Sequence, residues 1–420
     1  MAQSRWYIDG DAYDLAPFVR WHPGGADLLH RTRGHDISTL FHTFHRDAPR
    51  FEPLLRRYRV HGDTAGVSTF RDAAQFLTQA HAQLGTLAWR ETVWMQDCAF
   101  GLAILALLVT YGVLQWRALE GHLSLLPYAA LMAVVRMCLS SSGKYSVMRK
   151  ASLLQVTWAF LMDVDYRHSA CRGLQERPFE GAGAEESLTR LKALPRFYRL
   201  PVDWMSQLLH PVRAGLEFGR LYLGGHSDKW RHLLGFVAVR GMLVAEMWWF
   251  WCAQKWGYWI GQCLMTSLLS FLLAICDPLT VSPSTAESDW ASHQIARHSD
   301  AMLTGSPYID CFLTGGLSCR RVHTLLPFQK SPFANIASEA LLKQLAQEKK
   351  IDWRAPENLA RDRLYSALDV HLLTQADRSR GKTLWQEHMS FEALRAVVGT
   401  LIAALLEPMN DTRNVHEKTE

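Results

Sequence analysis

The chain has 420 residues, of which 49% are hydrophobic and 20% are charged. This composition excludes a disordered, collagen-like or low-complexity protein. The net charge of +5 is too small to indicate a nucleic-acid partner.

The N-terminal region contains two histidine-bearing segments. Residues 6–25 read WYIDGDAYDLAPFVRWHPGG, and residues 34–45 read GHDISTLFHTFH. Together they resemble the cytochrome b5 family, out to Tyr58-Arg59-Val60. The resemblance implies that a haem b is bound between two axial ligands, His22 of the HPGG motif and His45. Two imidazoles saturate the iron, so such a site transfers electrons and does not bind oxygen. His35 and His42 are close enough to compete as ligands but fit the family position less well.

Hydropathy divides the rest of the chain. We predict a haem domain over residues 1–65, a linker helix over 66–93, a membrane domain over 94–375 and a C-terminal extension over 376–420. Apolar runs of roughly 20 residues match the hydrocarbon core of a bilayer. Four such runs are predicted to span it: 98–116, 123–139, 233–252 and 258–276. The expected fold is therefore a small α+β domain followed by an all-α membrane domain.

The loops predict the topology. The connections at 117–122 and 253–257 are short, so all other segments lie on the opposite face. That face carries nearly all the Lys and Arg, which makes it cytoplasmic or matrix-like. The run 151–164 is too short to span and is expected in the interface. The segment 391–406 is interpreted as a packing helix, with a fifth span as the alternative.

Charged residues inside the apolar runs are costly there. They are Arg136, Arg240 and Glu246. We expect each to snorkel or to pair with a neighbouring helix or subunit. A role in a substrate or proton path is the alternative.

A haem domain fused ahead of four spans resembles the front-end acyl-lipid and sphingolipid desaturases. The best matching segment is 289–327, which contains Gly315-Gly316-Leu317 and ends in Leu326-Pro327. The resemblance implies a diiron centre held by three histidine boxes, HDxxH, HxxHH and QxxHH.

In this chain the boxes are degenerate. The aligned positions are Ser140 to Lys144, His168 to Arg172 and Arg320 to Thr324, which retain only His168 and His323. Protonated Lys and Arg offer no lone pair to a metal. We therefore expect no diiron centre. A single metal on His168, Cys171 and His323 is the alternative.

The replaced positions bring cations together near the headgroup region. Lys144, Arg172, Arg320 and Arg321 are candidates for binding a lipid phosphate. The alternative is that they pair with local acids such as Asp163, Asp165 or Asp310.

These observations favour a catalytically silent, desaturase-like membrane protein, a pseudoenzyme of lipid metabolism with a retained haem domain. We expect it to serve as an accessory or structural, lipid-binding subunit of a larger membrane complex, with lipid and protein partners. The alternative is an active desaturase or hydroxylase, or a haem electron carrier anchored in the membrane. The resemblance implies the endoplasmic reticulum, whereas a subunit of an energy-converting complex would lie in the inner mitochondrial membrane.

Overall fold

The computed structural model describes residues 5–19, 22, 29–30, 32–45, 48–61, 72, 75–146, 194–208, 229–276, 290–314, 316–329, 331–372 and 383–406. The strands are β1 Trp6–Ile8, β2 Asp11–Tyr13, β3 Arg59–Val60, β4 Ala301–Met302 and β5 Glu357–Asn358. The helices of the first half are α1 Ser38–Phe44, α2 Ala48–Leu55, α3 Phe76–Leu84, α4 Leu87–Glu120, α5 Leu125–Ser146 and α6 Arg196–Leu208. Those of the second half are α7 Lys229–Cys252, α8 Trp256–Ile275, α9 Trp290–Arg297, α10 Pro307–Leu313, α11 Arg320–Leu325, α12 Pro332–Glu348, α13 Tyr365–Leu372, α14 Leu384–His388 and α15 Phe391–Leu406.

The N-terminal unit is a small α+β fold. Its antiparallel sheet has the order β1-β2-β3, with Trp6 opposite Tyr13 and Tyr13 opposite Arg59. Trp6 is buried, and its indole Nε1 donates to the carbonyl oxygen of Leu29 at 2.8 Å. This bond satisfies the polar end of a core tryptophan, so the sheet is tied to the segment that follows it.

The remainder of the described chain is mostly helical. Each of the four predicted apolar runs corresponds to a helix, namely α4, α5, α7 and α8. The run 123–139 begins before α5, and the run 258–276 ends one residue after α8. Helix α4 begins at Leu87, so it takes in the end of the predicted linker helix, which is interrupted at Gly85-Thr86. The first turns of α4 contain the charged residues Arg90 and Glu91. The backbone hydrogen bonds of a helix do not require apolar side chains, so the helix extends beyond its apolar part.

Within the described residues, one helix is long and apolar enough to cross a membrane, Leu87–Glu120; a shorter apolar helix covers Leu125–Leu139. The core helix of a water-soluble protein would be mostly buried. In α4, by contrast, Leu102, Leu105 and Val109 are 68%, 56% and 60% exposed. This apolar surface is suited to contact with lipid.

The two short connections lie side by side, as the predicted topology requires. Helix α4 ends at Gly121, whose φ of 86° is the left-handed conformation that glycine adopts without strain. Lys255, in the second connection, donates from Nζ to the carbonyl oxygens of Ala118 and Leu119 at 2.9 and 2.8 Å. A cation at a helix C-terminus also complements the helix dipole, so this contact joins the two helical hairpins.

A buried polar cluster joins the same helices. Arg136 of α5 pairs with Glu246 of α7, with Nη2 2.5 Å from Oε2. The Glu246 carboxylate also accepts from the Tyr111 hydroxyl at 2.6 Å and from the Gln115 side-chain amide. The expectation that Arg136 and Glu246 pair with a neighbouring helix is confirmed. The backbone of Arg240 lies in α7.

A second polar region lies among the short elements after α8. Strand β4 pairs in parallel with β5, and α12 packs against α4. Ser331 begins α12 by accepting from the Ala334 amide at 3.1 Å, and its hydroxyl donates to Asp97 Oδ1 of α4 at 2.6 Å. This part of the chain is thereby anchored to the long apolar helix.

Candidate haem site

Helix α1 positions His45. Asp36, at the start of the D-I-S-T-L-F-H-T-F-H segment, accepts from the Ser38 amide at 3.0 Å. Ser38 Oγ in turn accepts from the Asp9 amide at 2.7 Å, so the start of α1 is fixed to the β1–β2 turn. The helix ends at Phe44, which places His45 at its C-terminal end.

The ring of His45 is held in one tautomer. Its Nδ1 lies 3.0 Å from the carbonyl oxygen of Phe41. A carbonyl oxygen only accepts, so Nδ1 carries the proton and Nε2 keeps its lone pair. The Phe41 ring stacks on the imidazole at 4.6 Å, and Phe51 packs edge-on at 5.0 Å. A second bond of this kind orients a ligating histidine and makes it more basic.

His22 faces His45. The centres of the two imidazole rings are 6.2 Å apart, and the rings are inclined by 46°. An iron held between two imidazoles would separate the ring centres by roughly 6 Å, because each iron–nitrogen bond is about 2 Å and each nitrogen lies about 1 Å from the centre of its ring. The Phe18 ring lies edge-on to His22 at 6.0 Å. The two predicted ligands therefore fit a bis-imidazole haem. Pro23, Gly24 and Gly25 of the HPGG motif lie outside the described residues.

His35 and His42, the two histidines that could compete as haem ligands, make other contacts. His42 lies in α1, with Nε2 2.9 Å from Asp9 Oδ1, and this hydrogen bond raises the pKa of the imidazole. The His35 carbonyl accepts from the Tyr7 amide at 3.1 Å, next to an isolated bridge between Tyr7 and Asp36. Burial lowers the pKa of His35. The ring of His45 is the one that faces that of His22.

Sequence reasoning missed the residues that orient the ligands. The Phe41 carbonyl and the Phe51 ring are not part of its ligand set, and a backbone acceptor has no residue-type signal. The i, i+4 spacing of Phe41 and His45 does place both on one helical face. The Asp9–His42 pair had no signal, because its members lie on elements far apart in the chain.

The segment aligned with the third histidine box forms α11. Arg320 and Arg321 begin this helix, and His323 lies in its last turn. Arg321 is 1% exposed. Its Nε donates to the His298 carbonyl at 2.8 Å, and its Nη1 donates to the Arg354 carbonyl at 2.9 Å.

The structure therefore corrects the interpretation of Arg321. Its guanidinium lies 3.7 Å from the buried Asp300 carboxylate and over the Trp353 ring at 5.1 Å. A cation enclosed in this way does not face a lipid phosphate at the surface. The acid that pairs with it is Asp300, whereas Asp310 accepts backbone amides from Leu303, Thr304 and Gly305 at 2.8 to 3.1 Å.

The other box residues are placed only in part. The backbone of Lys144 lies in the last turns of α5. His168, Cys171 and Arg172 lie outside the described residues, as do Asp163 and Asp165. Among the residues that are described, no group of three or more His, Cys, Asp or Glu side chains is placed to hold a metal ion.

Known proteins share the N-terminal pattern. Residues 2–63 match the family described as Cytochrome b5-like Heme/Steroid binding domain. An acyl-lipid omega-13 desaturase from Chlamydomonas reinhardtii is 38% identical over 64 residues, which are 15% of this chain and 13% of that protein. A probable Delta(5) fatty acid desaturase C from Dictyostelium discoideum is 34% identical over 53 residues, 13% of this chain and 12% of that protein. No solved structure matches the chain.

The matches cover only a small share of each relative, 13% and 12% of their lengths. The matches show that this chain shares the N-terminal domain; they do not show that it has the activity of the whole relatives. The family match and the ring geometry lead to the same cofactor. Residues 2–63 form a cytochrome b5-like haem-binding domain, and the similarity to the named desaturases lies in a segment of about this length.

Proposed function

We propose that this protein is a membrane-bound haem protein of desaturase type, in which electron-transfer capacity is retained and desaturation is not. The observation that carries the proposal is the facing pair His22 and His45, with ring centres 6.2 Å apart. His22 and His45 would hold a haem there, and the haem would supply one-electron chemistry. The chain's own contribution is to fix the His45 tautomer through Phe41 and to enclose the rings with aromatic side chains.

Four membrane spans are part of this proposal. Support comes from the exposed apolar surface of α4, and from the helix that corresponds to each of the four predicted runs. Contact between the two short connections through Lys255 also supports it. A buried ion pair between α5 and α7 is the arrangement in which charge is tolerated inside a bilayer.

The proposed loss of desaturation rests on residue types. The box positions retain His168 and His323 but carry Lys144, Arg172 and Arg320 where the resemblance implies a ligand set. Positive charge near two iron ions opposes their binding, at about 4 kcal/mol for unit charges 4 Å apart at an effective dielectric of 20. At the third box, the adjoining Arg321 is enclosed by backbone carbonyls and is part of the scaffold.

The membrane domain would then serve as an accessory, lipid-holding subunit of a larger assembly. Lys144, Arg172 and Arg320 remain candidates for a lipid phosphate, and Arg321 does not. The endoplasmic reticulum follows from the desaturase resemblance, and the inner mitochondrial membrane is the alternative location.

A second function is favoured by the relatives themselves. The curated proteins similar to this chain are named as desaturases, including the Delta(5) fatty acid desaturase A of Dictyostelium discoideum. An active desaturase or hydroxylase would need two non-haem irons in addition to the haem.

Iron and haem content of the purified full chain separate the two functions. One iron per chain, all of it low-spin haem, is expected from the proposal. About three irons per chain, two of them non-haem, would overturn it and favour the desaturase.

Matched histidine variants test the ligand assignment. His45→Ala should abolish the low-spin haem spectrum, whereas His42→Ala on the same helix should retain it. A low-spin spectrum in His45→Ala together with its loss in His42→Ala would show that the ligand has been assigned to the wrong residue.

A further inference from the structure

The C-terminal helix α15 exposes a row of large apolar side chains. Phe391, Leu394, Val398 and Ile402 are 80%, 59%, 46% and 51% exposed. Their spacing of three, four and four residues places them on one face of the helix. We call these four residues the C-terminal stripe. Trp385 and Met389, just before the helix, are also exposed, at 72% and 61%.

The rest of α15 divides into two further faces. Ala393 is buried, on the side that packs against α6. Glu392 and Arg395 are exposed. The helical period places Arg395 at the edge of the C-terminal stripe, opposite the packing face, and Glu392 between the stripe and the packing face. An apolar face bordered by charge is the pattern of a helix that lies in a membrane interface.

The orientation of the C-terminal stripe is fixed by α6. The Tyr198 hydroxyl donates to the His388 carbonyl at 2.8 Å, and the Phe197 ring stacks on His388 at 5.0 Å. Arg196 pairs with Glu387 at 3.5 Å. These contacts hold the end of α14, just before α15, against α6, and α15 itself packs on α6. The exposed stripe therefore points away from α6.

Helix α6 lies beside a proposed span. Trp204 Nε1 donates to Ser267 Oγ of α8 at 3.1 Å. Ser267 lies 8 residues before Ile275, the last residue of α8. This separation is about 12 Å along the helix axis. The contact therefore falls within the length of α8 and not beyond its end. Phe197 and Met205 of α6 are themselves 56% and 48% exposed.

We propose that the C-terminal stripe is a membrane-docking surface, with α15 lying along the interface of the bilayer and its apolar face among the acyl chains. The partner is lipid, because α6, against which α15 packs, contacts α8 within the length of the proposed span. Arg395 can extend from the edge of the stripe to the headgroups. This inference rests on the proposed spans, since α8 is one of them.

Depth-dependent quenching in lipid nanodiscs tests the proposal on the full chain. A bimane label would be placed at Val398→Cys, in a background in which Cys98, Cys171 and Cys252 are replaced by serine. Phosphatidylcholine carrying a nitroxide at the headgroup or on the acyl chain would be the quencher. Gln347→Cys, at an exposed position of α12, is the matched control. The label at residue 398 should be quenched several-fold more than that at 347.

Leu105→Cys in α4 separates this inference from the proposed spans. If a label at residue 105 is quenched by acyl-chain nitroxide and that at 398 is not, the docking surface is refuted and the spans stand. If neither label is quenched, the proposed spans are refuted, and the docking surface that rests on them is refuted with them. Blue-shifted emission at 398 without lipid quenching, together with a doubled native mass, would assign the stripe to a second copy and overturn the proposal. Ile402→Cys, on the same stripe, repeats the measurement if the Val398 variant does not fold.

Discussion

Arg136 and Arg321 are both buried, but different groups hold them. Arg136, among the apolar helices, is balanced by the Glu246 carboxylate, which Tyr111 and Gln115 also contact. Arg321, among the short elements after α8, donates to the carbonyls of His298 and Arg354, with Asp300 at 3.7 Å.

The difference follows from the surrounding backbone. In long helices every interior carbonyl is used by the helix itself, so a buried cation there needs a carboxylate from another helix. Residues 298–300 and 351–356 are irregular and leave carbonyls available. A cation can then be solvated by main chain, with the carboxylate as a secondary partner. The two arginines should therefore depend on their acids to different extents.

The largest effect is expected from Glu246→Leu. This substitution leaves the Arg136 charge uncompensated and should cost about 3–5 kcal/mol of stability. Thermal unfolding in detergent measures the loss. The double variant Arg136→Leu/Glu246→Leu removes both charges and should recover most of it. Equal destabilisation of the single and double variants would show that the pair is not what makes Glu246 important.

A smaller loss is expected from Arg321→Leu. Leucine removes the donors to two backbone carbonyls, and a buried polar group without a partner costs about 1–3 kcal/mol. The adjacent Arg320→Leu is the matched control, because Arg320 is less buried. The same unfolding measurement should show the larger decrease for Arg321. A larger decrease for Arg320 would contradict the enclosed, structural role of Arg321.

The sites of Arg136 and Arg321 also show which contacts can be predicted from the sequence and which cannot. Arg136 and Glu246 were both visible as charges in apolar runs, and a pairing with another helix could be predicted. The partners of Arg321 could not, because carbonyls of irregular segments have no residue-type signal. The assignment of Arg321 to a lipid headgroup was wrong for that reason. The facing arrangement of His22 and His45 was the most predictable, since each of them lies in a recognisable sequence motif.

The positions of the helices followed from hydropathy, but their bounds did not. Helix α4 begins at Leu87, whereas the predicted run begins at residue 98. Hydropathy reports the part of a helix suited to lipid and not the part that continues into water. The parallel pairing of β4 with β5 was not predicted, because each strand has only two residues. Such short strands show no alternation to detect.

Asp300→Asn tests whether the carboxylate beside Arg321 is secondary. Burial raises the pKa of Asp300 to about 6, despite the nearby Arg321. A raised pKa favours the protonated folded state, so its contribution to stability is present below pH 3.8 and is lost as pH rises through about 6. The full change is about 3 kcal/mol.

The measurement is the unfolding temperature between pH 4 and pH 7. The wild type should lose stability over this range relative to Asp300→Asn, which does not titrate. At pH 7 the variant should be no less stable than the wild type, in contrast to Glu246→Leu. Strong destabilisation of Asp300→Asn at pH 7 would show that Arg321 depends on its carboxylate as much as Arg136 does.

The smallest effect is expected from the exposed pair Asp9–His42, which has solvent around both members. The side chains are 59% and 41% exposed, and exposed pairs contribute about 0–1 kcal/mol. The hydrogen bond that the His42 ring donates to the Asp9 carboxylate raises the pKa of His42. Its stabilising contribution is therefore present below pH 6.5 and is lost as pH rises through the raised value.

Asp9→Asn should remove that dependence, as followed by the NMR titration of the His42 ring, and should leave the low-spin haem spectrum unchanged. An unaltered His42 titration in Asp9→Asn would mean that solvent already screens the pair, and that burial is what gives the Arg136–Glu246 pair its strength.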